Sequence, residues 1–186
     1  MAESKPLPPA QAKVIELIDA FTELTGNIVA WIMVPMVLAV GYEVFARYVF
    51  NAPTQWAFDV TYMCYGTLFM LGAHFTLKRG AHIRTDMLWQ HFSESKKGKI
   101  DTLAYLIFFF PGMMMLFIVG WGEAYHSFSV NETSEQTAWR PLLWPFKFVV
   151  PITAALLMIQ GVSETIKSIY AWRNNQPYET KEGAEI

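Results

Sequence analysis

Four long apolar stretches dominate this chain and limit what it can fold into. Each is at least about 20 residues long, the length that a helix needs to cross the roughly 30 Å hydrocarbon layer of a bilayer. A segment inside lipid must satisfy its own backbone hydrogen bonds, so each stretch is predicted to be helical. The predicted spans are 27–50, 56–77, 102–122 and 142–172. The sequence therefore predicts an all-α integral membrane protein with four transmembrane helices, with bends at Pro35, Pro111 and Pro151.

The composition excludes several functional classes. Of the residues, 53% are hydrophobic and 16% are charged, and the formal net charge is -2. No basic surface is therefore available for a nucleic-acid backbone. The single cysteine, Cys64, cannot form an intrachain disulfide. The sequence contains no glycine-rich phosphate loop, nucleophile elbow or zinc-spacing motif. We therefore expect neither enzymatic activity nor a cofactor.

The distribution of basic residues predicts the orientation of the chain. Of the 14 lysines and arginines, only Arg47, Arg140 and Lys147 lie on the side of a four-span topology that faces away from the termini. The other basic residues lie in the termini and in the connection between the second and third spans. The positive-inside rule places this more basic side in the cytoplasm. Both termini are predicted to be cytoplasmic.

Two segments outside the spans carry apolar residues at helical spacing. In the N-terminal region 1–26, one stripe consists of Val14, Leu17, Ile18, Phe21 and Leu24. This stripe predicts either an amphipathic helix on the membrane surface or an amphipathic extension of the first span. The connection 82–95 predicts a second interfacial helix, with a solvated loop as the alternative. The segment 173–186 is predicted to be a cytoplasmic tail.

Ionisable residues in the predicted spans gather near the outer surface. Glu43 and Arg47 are four residues apart and can pair on one helix face. Asp59 lies across a short predicted hairpin, where Arg47 could reach it as well. Charged groups in a bilayer are costly and indicate candidate sites. Because the middles of the spans lack Asp, Glu, Lys and Arg, we favour a polar latch between helices over an ion or proton path.

Two other functions are compatible with a four-helix membrane protein. A four-helix membrane bundle can hold haem between histidines on facing helices. However, His74 is predicted near the inner end of its span and His126 near the outer end, while His82 and His91 belong to a connection. A haem-bearing redox subunit is therefore disfavoured. The internal repeats of a self-sufficient secondary transporter are not visible, which favours an accessory membrane subunit. A homo-oligomeric four-helix channel is the other alternative.

The first hairpin and the connection after the second span carry a characteristic order of residues. The order runs through Arg47-Tyr48, Pro53, Trp56, Asp59 and the segment Gly80-Ala81-His82-Ile83-Arg84-Thr85-Asp86. Over roughly 14–172, the chain resembles the small membrane subunit of tripartite ATP-independent periplasmic (TRAP) transporters. The later residues resemble the branch associated with organic-acid and chloroaromatic substrates, through Ser134-Glu135, Trp139-Arg140-Pro141, Trp144-Pro145 and Lys147.

The resemblance implies a three-part system in the bacterial inner membrane. A periplasmic substrate-binding protein would capture a carboxylate-bearing solute, and a large membrane subunit would import it with a sodium gradient. The small subunit would be a scaffold beside the large subunit and would bind neither substrate nor sodium.

The resemblance also implies roles for particular residues. A latch near the periplasmic face would consist of Glu43, Arg47, Trp56 and Asp59. The family more often has Glu at the position of Asp59. The side chain of Asp is shorter, which disfavours a direct salt bridge across the hairpin.

Three further sets lie in the connections. The cytoplasmic connection would be anchored by His82, Arg84 and Asp86. Lys78 and Arg79 would contact lipid headgroups. Glu132 and Glu135, in the outer connection, would help to dock the periplasmic protein.

Overall fold

The fold is all-α, as predicted. The computed structural model describes residues 8–80 and 92–178. In these ranges the helices are α1 (Pro9–Ala30), α2 (Met33–Val49), α3 (Ala57–Lys78), α4 (Glu94–Ala104), α5 (Phe110–Ser129) and α6 (Trp144–Asn174). A π-helical segment, Tyr105–Phe109, joins α4 to α5. The extended pairing in the described ranges is one isolated bridge between Thr133 and Leu142.

Three helical stretches in the described ranges are long and apolar enough to cross a membrane. They are Pro9–Val49, Glu94–Ser129 and Trp144–Asn174. These stretches include the predicted third span and nearly all of the predicted first and fourth spans, and they make the chain an integral membrane protein. The predicted second span corresponds to α3, a 22-residue helix that carries Asp59 and Lys78 in its end turns. The number of four crossings stays a prediction.

The three prolines inside the apolar stretches have different effects. Pro35 cannot donate a hydrogen bond to the carbonyl of Trp31, which instead accepts one from the backbone nitrogen of Val34 at 3.1 Å. The helix is interrupted there, between α1 and α2. Pro111 lies in the first turn of α5, two residues after the end of the π-helical segment. Pro151, by contrast, lies inside α6, and the helix continues through it.

The long helices pack as an open array. The central pair is α3 and α6, with α2 packed mainly on α3 and α5 packed on α6, while α1 crosses both central helices. Since α2 and α5 pack on different central helices, the array is not a closed four-helix bundle. Many large apolar side chains point outward, among them Leu38, Phe45, Phe69 and Phe108. The lipid or a partner protein, rather than this chain, must cover them.

Glycines allow the closest helix contacts. At Gly98 of α4, an added Cβ atom would lie 2.5 Å from the carbonyl oxygen of Ser168 and from the backbone nitrogen of Trp172 in α6. At Gly161 of α6, the ring of Phe109 occupies the space that a side chain would fill. Small residues at such crossings let helices in membranes approach closely.

The N-terminal amphipathic segment lies in α1, which packs on α3 and α6. Its polar side chains Asp19 and Thr22 are buried, whereas Leu17 and Leu24 of the apolar stripe are exposed. The helix packs its polar face against α6 through hydrogen bonds. Both alternatives for this segment, a helix on the membrane surface and an extension of the first span, stay predictions. In the second amphipathic segment, the described part begins at Phe92 and enters α4 at Glu94.

Candidate functional site

Glu43 closes the hairpin between α2 and α3. Its carboxylate accepts hydrogen bonds from Arg47, one of them from Nε at 2.9 Å, on the next turn of the same helix. It also accepts bonds from the backbone nitrogen of Thr54, at 2.9 Å, and from the hydroxyl of Thr54 in the turn. Trp56, which follows the turn, stacks on Tyr42 with ring centroids 5.7 Å apart. The structure thus brings Glu43, Arg47 and Trp56 together at one end of the hairpin.

Asp59 takes part in a different contact from the one expected. Its fully buried carboxylate accepts hydrogen bonds from the hydroxyl of Ser134, at 2.7 Å, and from the hydroxyl of Thr137. Arg47 pairs with Glu43 instead, and its side chain is 56% exposed. The expectation that Arg47 also reaches Asp59 is therefore not met. The partners of Asp59 lie more than 70 residues away in the sequence and carry no charge, so nothing in the local pattern indicated them.

The outer connection between α5 and α6 has a fixed internal structure. The backbone nitrogen of Ser134 donates to the carbonyl oxygen of Pro141 at 2.8 Å, and that of Leu143 donates to the carbonyl oxygen of Glu132 at 2.9 Å. Lys147 donates a hydrogen bond of 2.5 Å to the Glu132 carboxylate. This bond holds the pKa of Glu132 below its usual value. Of the two acidic residues expected to dock a partner, Glu132 is thus engaged internally, while Glu135 is exposed.

A second polar layer lies at the opposite ends of the helices. Glu23 of α1 accepts hydrogen bonds from Lys78 at 2.6 Å and from Arg79 at 3.3 Å. The Lys78 side chain is only 6% exposed, so its ammonium group serves α1 rather than the surrounding lipid. Arg79 is 56% exposed and also lies over the ring of Phe75, with 5.0 Å from its guanidinium carbon to the ring centroid. Lys78 and Arg79, which were both expected to contact lipid headgroups, therefore lie in different environments.

Sequence reasoning missed a buried polar cluster in the same layer. Asp19 of α1 accepts hydrogen bonds from Ser163 at 2.8 Å, from Lys167 at 2.8 Å and from Gln160 at 3.1 Å. Lys167 also donates to Glu164 at 2.8 Å. The polar residues of α6 recur at 160, 163, 164 and 167, which is one helix face. That spacing, together with Asp19 on the polar face of α1, was the signal that could have found the cluster.

The two layers are separated by about one bilayer thickness. In α6, Lys147 and Lys167 are 20 residues apart, and in α3, Asp59 and Lys78 are 19 residues apart. At 1.5 Å per helical residue, each interval is about 30 Å, the thickness of the hydrocarbon core. The charged groups of the described spans thus lie in two layers, with an uncharged interval between them.

The histidines lie apart. His74 is buried near the layer that contains Lys78, where its Nε2 is 2.7 Å from the hydroxyl oxygen of Thr25 and its other ring nitrogen contacts the carbonyl of Leu71. His126 is exposed in the last turn of α5, at the opposite ends of the helices. His82, Arg84 and Asp86, expected to anchor the cytoplasmic connection, lie outside the described residues, as does His91.

Comparison with known proteins identifies the family. A family model described as "Tripartite ATP-independent periplasmic transporters, DctQ component" matches residues 36–170. The matched region takes in nearly all of α2, the outer connection and most of α6, and it includes the hairpin closed by Glu43. Comparisons with curated proteins and with solved structures give no significant match. Because the family match covers well over half of the chain, this protein belongs to the DctQ family of TRAP transporter components, which confirms the resemblance seen in its sequence.

Proposed function

We propose that this chain is the scaffold subunit of a TRAP-type importer. It packs beside the large membrane subunit and widens the fixed part of that subunit. The large subunit imports a carboxylate-bearing solute with a sodium gradient, after a periplasmic binding protein has delivered the solute. The single observation that carries this proposal is the open array of α2, α3, α6 and α5, whose large apolar side chains face outward.

An open array fits a scaffold better than a pathway. A transport path needs polar groups that continue through the membrane. In the described spans, the ionisable groups with resolved partners are used in two layers to bind one helix to another or to a connection. They stabilise the array and leave its faces available to other proteins and to lipid.

The same two layers support the proposed topology. Asp59 and Lys78 of α3 are 19 residues apart, which is about 28 Å in a helix and close to the interval between Lys147 and Lys167 in α6. We propose that α3 is the second of four crossings, that the Asp59 layer is periplasmic, and that both termini are cytoplasmic. The excess of basic residues on the side of Lys78 supports this orientation.

The remaining residue roles follow this orientation. Arg79, exposed at the inner layer, contacts anionic headgroups, while Lys78 helps to hold α1 through Glu23. We retain the cytoplasmic connection, with His82, Arg84 and Asp86, as an anchor on the basis of the family resemblance. Glu135 is exposed at the periplasmic layer, where a docking protein can reach it.

Co-purification tests the proposal. The chain is tagged and expressed with the large membrane subunit of the same transporter, and the complex is extracted in mild detergent. A stoichiometric complex that imports a carboxylate in liposomes only when sodium, the binding protein and both membrane subunits are present is the expected result. Recovery of this chain alone, as a defined oligomer that conducts ions in liposomes, would show a channel and contradict the scaffold role.

A further inference from the structure

The helix α4 carries an exposed stripe that is basic at one end and apolar at the other. Four exposed side chains share this face of the helix by their spacing: Lys96, Lys99, Ile100 and Leu103. The two lysines lie nearer the start of α4, and the two apolar residues lie toward the π-helical segment and the apolar α5. The stripe therefore changes from cationic to apolar in the direction that leads into the membrane.

The opposite face of α4 is fixed to the end of α6. Gly98 lets the two backbones approach closely at Ser168 and Trp172. Ser95 adds two hydrogen bonds: its hydroxyl donates to the carbonyl oxygen of Trp172 at 2.7 Å, and its backbone nitrogen donates to Oδ1 of Asn175 at 2.9 Å. The two helix ends, and the cations that they carry, are therefore held together by the chain itself.

Trp172 places this crossing at the depth of lipid headgroups. It follows Lys167, which lies in the second polar layer, by five residues, or about 7.5 Å of helix. The headgroup region on each side of the hydrocarbon core is roughly 5–8 Å thick, and tryptophan is enriched there. The Trp172 side chain is 41% exposed, and Nζ of Lys99 lies 5.9 Å from its ring centroid. The ammonium group of Lys99 therefore lies at the same depth.

The cations at this crossing are not neutralised within the described part of the chain. Lys97 pairs with Glu94 at 2.7 Å. The ion pairs formed among the described residues do not include Lys96, Lys99 or Arg173. All three side chains are exposed. The crossing therefore presents three cations that an anion can reach.

The residue types favour a lipid over a protein as the source of that anion. Lysine is depleted at protein interfaces. Lysines that extend to the headgroups, beside a tryptophan, are typical of the membrane boundary. The order from cations through Trp172 to apolar side chains also matches the order of a phospholipid, from its phosphate to its acyl chains.

We propose that the crossing of α4 and α6 binds an anionic phospholipid. The phosphate and the rest of the headgroup contact Lys96, Lys99 and Arg173. The acyl chains lie against Ile100 and Leu103. The negative charge of the headgroup compensates the cations, so the bound lipid stabilises the packing of α4 on α6.

This site differs from the headgroup contact of Arg79. Arg79 lies at the end of α3 and is a single exposed cation, whereas the crossing of α4 and α6 offers three cations next to an apolar surface. Such a site distinguishes an anionic lipid from a zwitterionic one. The inference goes beyond the proposed function and requires no other subunit.

Lipid-dependent stability measures the binding. The full chain, freed of lipid in detergent, is titrated with phosphatidylglycerol and separately with phosphatidylcholine, and the midpoint of thermal unfolding is recorded. A ligand that binds only the folded protein raises this midpoint as its concentration increases. Phosphatidylglycerol is expected to do so at concentrations about tenfold or more below those of phosphatidylcholine. Equal responses to the two lipids would overturn the proposal.

A double variant identifies the site. In Lys96→Gln, Lys99→Gln, the concentration of phosphatidylglycerol that gives the same rise in midpoint should increase about tenfold or more, because each cation near the membrane surface strengthens the attraction to an anion several-fold. Without lipid, this variant is expected to unfold as the wild type does, since both side chains are exposed. Lys96→Arg, Lys99→Arg retains the charge and should retain the response.

The matched control removes the same charge elsewhere. Lys13→Gln, Arg140→Gln changes two exposed cations, one on α1 and one on the outer connection. It is expected to keep the wild-type response, and an equal loss of response would overturn the site, because net charge alone would then govern binding. Inorganic phosphate, which has no acyl chains, is expected to have no effect. Stabilisation by phosphate equal to that by phosphatidylglycerol would overturn the assignment to a lipid.

A label at position 100 tests where the lipid lies. Cys64 is the only cysteine, so a Cys64→Ser, Ile100→Cys variant can be labelled with bimane and placed in nanodiscs, with Cys64→Ser alone as the background. Phosphatidylglycerol that carries a nitroxide on its acyl chain is expected to quench the label more than the same mole fraction of nitroxide-labelled phosphatidylcholine. Adding Lys96→Gln and Lys99→Gln should abolish this excess, and an excess that persists would overturn the role of the lysines.

The same label separates a lipid from a protein partner. The measurement is repeated after co-purification with the large membrane subunit. An excess of quenching by phosphatidylglycerol that is retained in this complex supports a lipid site. Loss of quenching by both lipids would show that a protein covers this face and would overturn the proposal.

Discussion

Asp59 accepts a hydrogen bond of 2.7 Å from Ser134, a residue that follows it by 75 positions in the chain. This bond joins the start of α3 to the connection between α5 and α6, so it links the first helical hairpin to the second. The acid was recognisable from the sequence as a costly group near a membrane boundary. The partner, Ser134, could not be recognised from the sequence. Because of this partner, Asp59 holds the outer connection in place and is not part of the latch within the first hairpin.

Removing the hydroxyl of Ser134 tests this link. Ser134→Ala leaves the buried Asp59 carboxylate with one hydrogen bond fewer, and a bond to a charged group contributes about 1.5–3 kcal/mol. We expect a lower midpoint of thermal unfolding in detergent, followed by the fluorescence of the 7 tryptophans. Glu135→Gln, an exposed change on the same connection, is the control and is expected to shift stability by less than about 0.5 kcal/mol. Equal midpoints for Ser134→Ala and the wild type would contradict the link.

The pair formed by Glu132 and Lys147 predicts a pH dependence. The pKa of Glu132 is lower in the folded protein than in the unfolded chain, mainly because Lys147 donates a hydrogen bond to it. A lowered folded-state pKa contributes stability that is present above the unfolded value of about 4.3 and is lost as the pH falls through the folded value. The difference in unfolding midpoint between the wild type and Glu132→Gln should therefore be constant from about pH 5.5 to 8 and shrink below about pH 4. A difference that grows on acidification would be inconsistent with this pair.

The buried cluster around Asp19 predicts a strong dependence on Lys167. The side chains of both residues are largely buried, so Lys167→Met leaves Asp19 and Glu164 without their common cation. Breaking a buried ion pair by removing one partner costs about 3 kcal/mol or more. We expect loss of α1 packing, seen as faster proteolysis near the N-terminal end of α1 and as a lower unfolding midpoint. Lys96→Met, at an exposed position of α4, is the control. A double-mutant cycle with Asp19→Asn should give a coupling energy well above zero, and additive effects would disprove a direct interaction.

The crossing of α4 and α6 predicts opposite effects for two glycines. Gly98→Ala places a Cβ atom 2.5 Å from the backbone of α6, so the helices must separate, and we expect destabilisation of about 1–3 kcal/mol. At Gly41 of α2, an added Cβ atom would have no neighbour within 4 Å. Gly41→Ala should therefore be neutral or stabilising by up to about 1 kcal/mol through its higher helix propensity. Thermal unfolding of the two variants side by side checks the pair of predictions, and similar effects of both would argue against the close crossing.

The sequence determined the helical class and the local contacts of this protein. Apolar stretches long enough to span a bilayer leave the backbone no alternative to helices, because lipid cannot satisfy its polar groups. Glu43 and Arg47 lie one helical turn apart, so their pairing follows from the helix itself. The order of residues around the first hairpin also carried the family resemblance, which the family match then confirmed.

The tertiary structure alone decided which helix faces turn inward and which distant residues meet. The apolar stripe of α1 predicted an amphipathic helix but not its orientation, and the structure buries Asp19 while exposing Leu17. In water an apolar stripe is driven inward, whereas at a membrane lipid can cover it and the polar face can pack inside. The pairing of Glu23 with Lys78 and that of Asp59 with Ser134 arise only when whole helices come together. Periodicity shows which residues share a face, but the packing of the helices decides what that face contacts.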